Sequence, residues 1–286
     1  MDRVAITLSE GMDFPRARQF FYREVRQPVA QIDLAKAALY IAQEEYPTLD
    51  PAAYLNALDT MAAEIEERLP AERYPLRIIQ SINRYLYHDL RFVGNRDNYY
   101  DPRNSFLNQV IDRRTGIPIT LSLVYLEVAR RLDFPMIGVG MPGKFLIRPD
   151  VTDMEIFVDP FNQGETMFPE DCQAEFAKLY GASVPFQPTF LNPVSTRQFL
   201  ARMLTNLKLI YFAQSDALRA LAATERILVL FPEAPLELRD RGLLYYHLNR
   251  LGLARADLER YLLEMPDAED GFAIQQVLNQ IALRSN

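Results

Sequence analysis

Residues that usually form metal sites and thiol active sites are scarce in this sequence. It contains one cysteine, two histidines and no tryptophan among 286 residues. The single cysteine, Cys172, excludes an internal disulfide and fits a reducing compartment. His88 and His247 have no cysteine or second histidine near them in the chain, so we predict no metal site and no cofactor. A magnesium site made of carboxylates alone is the alternative that these counts leave open.

Long hydrophobic runs and glycine are scarce as well. The longest uncharged run, 179–196, is interrupted by Pro185, Pro188 and Pro193, so it predicts no membrane helix. The first residues lack an apolar core, so we expect no signal peptide and a cytoplasmic protein. Only 11 glycines stand against 19 prolines, which disfavours a glycine-rich β-fold and predicts helices that end at prolines.

The charge balance is acidic. The chain has 31 Lys and Arg against 38 Asp and Glu, a net charge of −7. This balance disfavours nucleic acid as a partner, because binding to phosphates requires a clustered cationic surface.

Hydrophobic periodicity predicts a mostly helical first part that also contains a few strands. The predicted helices cover about 31–45, 51–69, 76–90, 105–113, 115–132 and 169–180. The helix at 115–132 is apolar almost all round, which is typical of a central, buried helix. Strands are predicted over 135–139, 144–148 and 155–158.

The last third of the chain repeats with a period of 34 residues. A shift by this period aligns Tyr211 with Tyr245 and Ala220 with Ala254. Such a period with paired helices is the tetratricopeptide signature. Two units and a terminal helix at 272–283 are too few for a free-standing solenoid, so we expect them to pack on the preceding domain.

The proline-rich run 181–196 separates these two parts, so we divide the chain into domains 1–188 and 189–286. Tetratricopeptide helices present a groove for a peptide or a partner helix. We therefore predict a protein or peptide partner that binds the repeats. We predict no nucleic-acid or membrane partner, and a homodimer is compatible with the sequence.

Two motifs that could form a functional site are interpreted here as structural. Residues 138–143 match the glycine pattern of dinucleotide-binding loops, but a strand rather than a helix follows, so we predict a turn between strands. Cys172 shares its predicted helix with Glu170, Asp171 and Glu175. These carboxylates raise the pKa of a neighbouring thiol, so we interpret the cysteine as structural.

Four ordered segments of the first domain carry longer motifs. They are NRDNYYDPRNSFLN at 95–108, RRTGIPITLSLVYLEVARRL at 113–132, PGKFLI at 142–147 and VDPF at 158–161. Together they resemble the bacterial SirB-like family, over about residues 30–285. The resemblance implies an α+β, mainly helical fold. A transglutaminase-like (papain-like) core with a small antiparallel sheet would precede an all-α tetratricopeptide region.

The resemblance also implies three positions for a catalytic triad. A nucleophilic cysteine would begin the long helix and the sheet would supply His and Asp, but these positions hold Pro118, Lys144 and Asp159. Only the carboxylate survives. The simpler interpretation is a Lys144–Asp159 ion pair that fills the cleft between the three triad positions, which we call the old cleft. The alternative is a hydroxyl nucleophile, Thr120 or Ser122, with an uncharged Lys144 as its base.

The polar segment 92–108 is a second candidate site. Its side chains either line a cleft beside the helix N-terminus or tie down a long loop through capping and turn hydrogen bonds. The candidate binding residues are Asn95, Arg96, Asp97, Tyr100, Asp101, Arg103, Asn104 and Asn108.

These observations predict a non-catalytic interaction protein built on a degenerate transglutaminase-like domain and tetratricopeptide repeats. Two alternatives remain. One is a residual hydrolase or acyltransferase acting on peptide or amide bonds, and the other is a protein that binds a small ligand in the old triad cleft.

Overall fold

Helices make up most of the molecule and surround one small antiparallel sheet. The computed structural model describes residues 15–151, 154–181 and 183–284. The absence of a signal peptide is a prediction about the first residues, and residues 1–14 lie outside these ranges. The α-helices are α1 (Arg16–Val25), α2 (Leu34–Glu45), α3 (Pro51–Glu66), α4 (Pro75–Asn83), α5 (Leu107–Arg113), α6 (Pro118–Arg131), α7 (Pro169–Tyr180), α8 (Thr196–Ala213), α9 (Ala217–Leu230), α10 (Pro235–His247), α11 (Leu251–Glu264) and α12 (Gly271–Arg284).

The strands form two sheets. They are β1 (Val93–Gly94), β2 (Thr115–Gly116), β3 (Met136–Val139), β4 (Leu146–Pro149), β5 (Phe157–Asp159) and β6 (Glu165–Met167). The pair of β1 and β2 is parallel, whereas β3, β4, β5 and β6 form an antiparallel sheet in that order. The α+β, mainly helical fold class is therefore confirmed, and the glycine motif at 138–143 is confirmed as a turn between paired strands.

Three features depart from the sequence prediction. Helix α1 is not predicted, because two of its buried positions are the charged Arg18 and Glu24, which interrupt the apolar stripe. The helix predicted over 76–90 changes at Arg84 to a π-helix, Arg84–Asp89, which buries the consecutive residues 85–87. Strands β1, β2 and β6 are only two or three residues long, too short to give a readable alternation.

Helix α6 is central and buried, as its apolar sequence predicts. Every residue from Ile119 to Ala129 is buried. The only charged residue in this stretch, Glu127, is paired with Arg130 and Arg131 at the end of the same helix. The hydroxyl of Tyr125 donates to Asn83 Oδ1 over 3.0 Å, which ties α6 to the end of α4.

The repeat helices form two hairpins, α8 with α9 and α10 with α11, followed by α12. The aligned Ala220 and Ala254 are both fully buried, which lets the helices of each hairpin pack closely. Gly242 of α10 serves the same purpose, since a Cβ there would lie 2.7 Å from the Leu258 side chain of α11. No helix in the described parts of the chain is long and apolar enough to cross a membrane.

A cluster of buried charges joins the repeats to the N-terminal helices. The guanidinium of Arg18 on α1 donates to Glu44 of α2 and to Glu225 of α9. Arg226 of α9 lies 3.3 Å from the same Glu44, and Tyr245 of α10 donates to Glu225 over 3.0 Å. Burial alone would raise the pKa of Glu44, but Arg226 and Arg18 outweigh it and lower the pKa. The joint therefore consists of ionised groups that compensate one another.

Replacement of Arg18 by leucine should strongly destabilise the protein. The substitution leaves Glu225 and Glu44 buried with one fewer cation, and breaking a buried ion pair costs about 3–5 kcal/mol. We expect the free energy of unfolding, measured by urea denaturation of the full chain, to fall by about 3 kcal/mol. The control is Arg260→Leu, which breaks exposed pairs with Glu233 and Glu264 and should cost less than about 1 kcal/mol. Equal losses in the two variants would show that the joint contributes no special stability.

Candidate functional site

A cleft of about 770 Å³ opens between α7 and the hairpin that joins β5 to β6. Strand β1 and the first turn after β5 complete its walls. Its charged lining residues are Arg96, Lys144, Lys178, Glu165, Asp171 and Glu175. Equal numbers of cations and carboxylates face this space, so the cleft has no strong preference for ligands of one charge.

Lys144 and Asp159 form an ion pair at this cleft. The distance from Lys144 Nζ to Asp159 Oδ2 is 2.9 Å. Glu175 of α7 provides a second carboxylate, 3.3 Å from the same nitrogen. The lysine side chain is 16% exposed, so its ammonium group is held between two carboxylates at the inner wall of the cleft.

The backbone fixes Asp159 in place. Its Oδ1 accepts the N–H groups of Phe161 and Asn162, which begin the 3₁₀ turn Pro160–Asn162. Its Oδ2 accepts the side-chain amide of Asn162 over 2.8 Å as well as the lysine. The turn closes at Gly164, whose φ of +74° is unfavourable for other residues and whose Cβ would collide with Asn83. The carboxylate is therefore fully hydrogen-bonded and preorganised.

The electrostatics keep Lys144 protonated. Burial alone would lower the pKa of this lysine, but the hydrogen bonds and charges of Asp159 and Glu175 outweigh it and raise the pKa. The pKa of Glu175 is lowered, first by its hydrogen bond with Lys178 and then by Lys144. A lysine that acts as a general base must lose its proton near neutral pH, and this environment does the opposite.

The two candidate hydroxyls near the start of α6, those of Thr120 and Ser122, are buried. Pro118 occupies the first position of this helix, where the missing N–H costs nothing. The hydroxyl of Thr120 donates to Asn104 O over 2.7 Å and accepts from the N–H of Ile117. Ser122 is fully buried and its hydroxyl has no hydrogen-bond partner in the structure. Neither hydroxyl is accessible to a substrate in this structure.

The loop 95–108 is held mainly by bonds between its own residues. Asn104 is fully buried, donates to the carbonyls of Asn98 and Tyr99, and accepts from Asn95. Asp101 caps the 3₁₀ turn Pro102–Ser105 and pairs with Arg103, which lowers the pKa of its carboxyl group. These contacts are those expected when polar side chains tie down a long loop through capping and turn hydrogen bonds.

The remaining candidate residues of this loop lie in different environments. Arg96 lines the cleft, stacks on Phe161 and donates to Asn162. Asp97 and Tyr100 are exposed, whereas Asn108 is buried and its side-chain carbonyl has no partner in the structure. The structure therefore does not bring the eight candidates together in one cleft.

The β1–β2 pair closes the segment that consists of this loop and α5. The N–H of Val93 donates to Arg114 O and the N–H of Asn95 to Gly116 O, both over 2.9 Å. The segment is thereby closed at its base next to the start of α6.

The cysteine and the histidines take no part in the cleft. Cys172 is fully buried, and burial first, then Asp171, raise its pKa to about 11. The thiol is thus deactivated, in agreement with its structural interpretation. His88 and His247 are exposed on separate helices. Within residues 15–151, 154–181 and 183–284, no group of three or more His, Cys, Asp or Glu side chains could hold a metal ion.

Sequence reasoning missed two residues of the Lys144 site, Glu175 and Asn162. Glu175 is noticed only as a neighbour of Cys172, because the docking of α7 beside Lys144 leaves no local signal in the chain. Asn162 follows Asp159 by three residues, a spacing at which an aspartate caps a turn. The DPFN sequence could therefore have indicated its position.

A buried central helix, an antiparallel sheet with its carboxylate at the end of β5, and paired helices at a 34-residue period define a transglutaminase-like protein with tetratricopeptide repeats. A family model described as transglutaminase-like superfamily matches residues 52–205, and a tetratricopeptide repeat model matches residues 207–279. A UPF0162 protein of Xylella fastidiosa is 41% identical over 84% of this chain and 86% of its own. The chain belongs to the UPF0162 family of transglutaminase-like proteins.

Other relatives extend this comparison. A UPF0162 protein of Pseudomonas aeruginosa is 32% identical over 87% of this chain and 91% of its own. F-box only protein 21 of the mouse is 37% identical over 145 residues, which are 46% of this chain and 21% of that protein. No solved structure gives a significant match.

The pKa of Lys144 provides a direct test of this site. We expect it above the ordinary lysine value of about 10.4 in a ¹³C-lysine NMR titration of the full chain. The stabilisation from this lysine is then fully present below its unfolded-state pKa of about 10.4 and is lost as pH rises through the folded-state pKa. The chain has four lysines, so substitution can assign each signal. Asp159→Asn, which keeps the side-chain shape, should lower the value, and a wild-type pKa well below 10 would favour a catalytic base.

Proposed function

We propose that this protein is a non-catalytic interaction protein of the SirB-like type, acting in the cytoplasm. Its degenerate transglutaminase-like domain, residues 1–188, serves as a structural platform. Its tetratricopeptide region, residues 189–286, binds a protein partner or a peptide. The observation that supports this proposal most strongly is the ion pair of Lys144 with Asp159, which stands in place of an imidazole–carboxylate pair.

Two features of the triad positions support the non-catalytic role. Pro118 has no nucleophilic atom where the resemblance requires one. Lys144 is held as a cation, so it cannot accept a proton from Thr120 or Ser122. A Ser/Thr–Lys mechanism would require a desolvated, neutral lysine, and the carboxylates of Asp159 and Glu175 oppose that state.

The exposed side of the repeats supports a protein partner. Leu209 and Phe212 lie one turn apart on α8 and are 56% and 39% exposed. The 34-residue period places Leu243 and Tyr246 of α10 at the corresponding positions. These four residues are named here the repeat ladder. Leu209 and Phe212 are its exposed part, whereas Leu243 and Tyr246 are half-buried and Tyr246 contacts Gln280 of α12. Aromatic side chains are enriched among the few residues that provide most of the binding energy in protein interfaces.

Binding of a small ligand in the old cleft is a second candidate function. The 770 Å³ cleft is large enough for a small molecule or a short peptide. Arg96 and Lys178 lie at its surface, beside Glu165 and Asp171. Such a mixed lining suits a dipolar ligand with both amine and carboxylate groups.

The partner should depend on the repeat ladder. We expect a partner retained saturably by the immobilised full chain, identified by mass spectrometry and then purified, to bind Leu209→Glu/Phe212→Glu at least about tenfold more weakly. Leu218→Glu is the matched control, since Leu218 is 61% exposed on α9 and lies outside the ladder. Equal losses in both variants, or no specific partner, would count against binding through the repeats.

The non-catalytic role predicts that Lys144 makes no contribution to turnover. Ester and amide probes should be hydrolysed by the full chain at the rate measured for Lys144→Ala. Circular dichroism should verify that the variant is folded. A rate that falls in the variant while its fold is retained would support the residual hydrolase instead.

A further inference from the structure

The last helix that the structure describes, α12, has an unusual surface. Of the fourteen residues of α12, only the last, Arg284, is charged. Phe272, Asn279 and Leu283 are separated by seven and four residues, so they lie on one face of the helix. Phe272 and Leu283 are each 78% exposed. The last helix of a repeat array normally presents a polar, charged outer face, whereas this face carries no charge and places amide side chains between two exposed apolar ones.

A groove runs beside this face. It has a volume of about 330 Å³ and lies between α11 and α12. Its walls are Leu262 and the Arg255–Glu259 pair of α11, and Gln275, Leu278, Asn279 and Ala282 of α12. In each complete unit a second helix packs against the first, as α9 does on α8 and α11 on α10. Helix α12 is the first helix of a third unit, and no helix in the described ranges packs on its outer face.

We propose that α12 of a second copy of this chain covers this face, so that two molecules pair across a two-fold axis. The residues that form the contact, Phe272, Gln275, Gln276, Asn279, Ala282 and Leu283, are named here the α12 face.

The spacing along the α12 face is self-complementary. When two α12 helices run antiparallel about an axis between residues 277 and 278, Phe272 of one copy faces Leu283 of the second copy. In the same register Gln276 faces Asn279, so amide groups meet amide groups. Phe272 and Leu283 are about 16 Å apart along the helix at a rise of 1.5 Å per residue. The pairing is reciprocal, as an isologous interface requires. An aromatic side chain meets an aliphatic one at each end of the contact.

Charge limits where two copies of this chain can meet. Each chain carries a net charge of −7, so most surfaces of two copies repel one another. The α12 face carries no charge, and the adjacent Arg255 and Glu259 neutralise each other through a 2.7 Å contact. Two copies can thus meet here without desolvating an unpaired charge.

The test is the mass of the full chain in solution, measured by light scattering and sedimentation equilibrium over a wide range of concentrations. We expect a reversible dimer. Phe272→Glu should weaken dimerisation at least about tenfold, because it places a carboxylate opposite Leu283 of the second copy. Leu236→Glu is the matched control, since Leu236 occupies the same second position of α10 and is also exposed. It should leave the dimer unchanged.

A second variant keeps the test informative if Phe272→Glu fails to fold. Asn279→Glu changes an exposed residue near the two-fold axis, so it should separate the copies while circular dichroism stays that of the wild type. A wild-type chain that is monomeric at all concentrations would overturn the proposal. A dimer that survives both Phe272→Glu and Asn279→Glu would also overturn it, because the contact would then lie elsewhere.

Discussion

The buried charges around Arg18 hold together two parts of the protein that the sequence presents as separate. Arg18 and Arg226 share Glu44, and Arg18 also contacts Glu225, so helices α1, α2 and α9 meet at one set of ionised groups. Buried charges tolerate little displacement, since each loses solvation that only its partner replaces. The orientation of the repeats relative to the N-terminal helices is therefore fixed by geometry that apolar packing alone would specify less sharply.

At the cleft a lysine stands where the resemblance places a histidine, and this changes what the carboxylate of Asp159 can support. Asp159 keeps the environment that suits a triad carboxylate, with backbone donors on one oxygen and a cation on the other. In a triad that carboxylate would orient an imidazole, which can transfer a proton near neutral pH. An ammonium group in the same place forms a stable ion pair, and the second carboxylate, Glu175, strengthens it. The same scaffold then favours one fixed protonation state.

The sequence predicts the parts of the fold that have a local signal. The apolar run of α6, the 34-residue period and the proline-bounded helices all reflect burial on a regular spacing, and the structure has them. The Lys144–Asp159 contact could be proposed because a resemblance aligned the two residues. Helix α1 could not be predicted, since its inward positions include Arg18, whose partner Glu225 lies 207 residues away.

The contribution of Glu175 was unpredictable for the same reason. It depends on how α7 docks beside β4 and β5, and that docking is encoded in contacts between distant residues. Short elements such as β6 and the π-helix Arg84–Asp89 add a further limit, because their hydrogen bonds are decided by neighbours and not by their own composition.

The anchoring of the loop 95–108 has a consequence for which of its residues can vary. The β1–β2 pair joins the start of this loop to the residues that follow α5, and the interior is held by Asn104 and Asp101 within the loop itself. The exposed stretch 96–100 is thereby carried on residues that belong to the core, since Asn104, Phe106 and Leu107 are buried. Substitutions within this stretch would alter the molecular surface beside the cleft, while the buried residues keep the start of α6 in place.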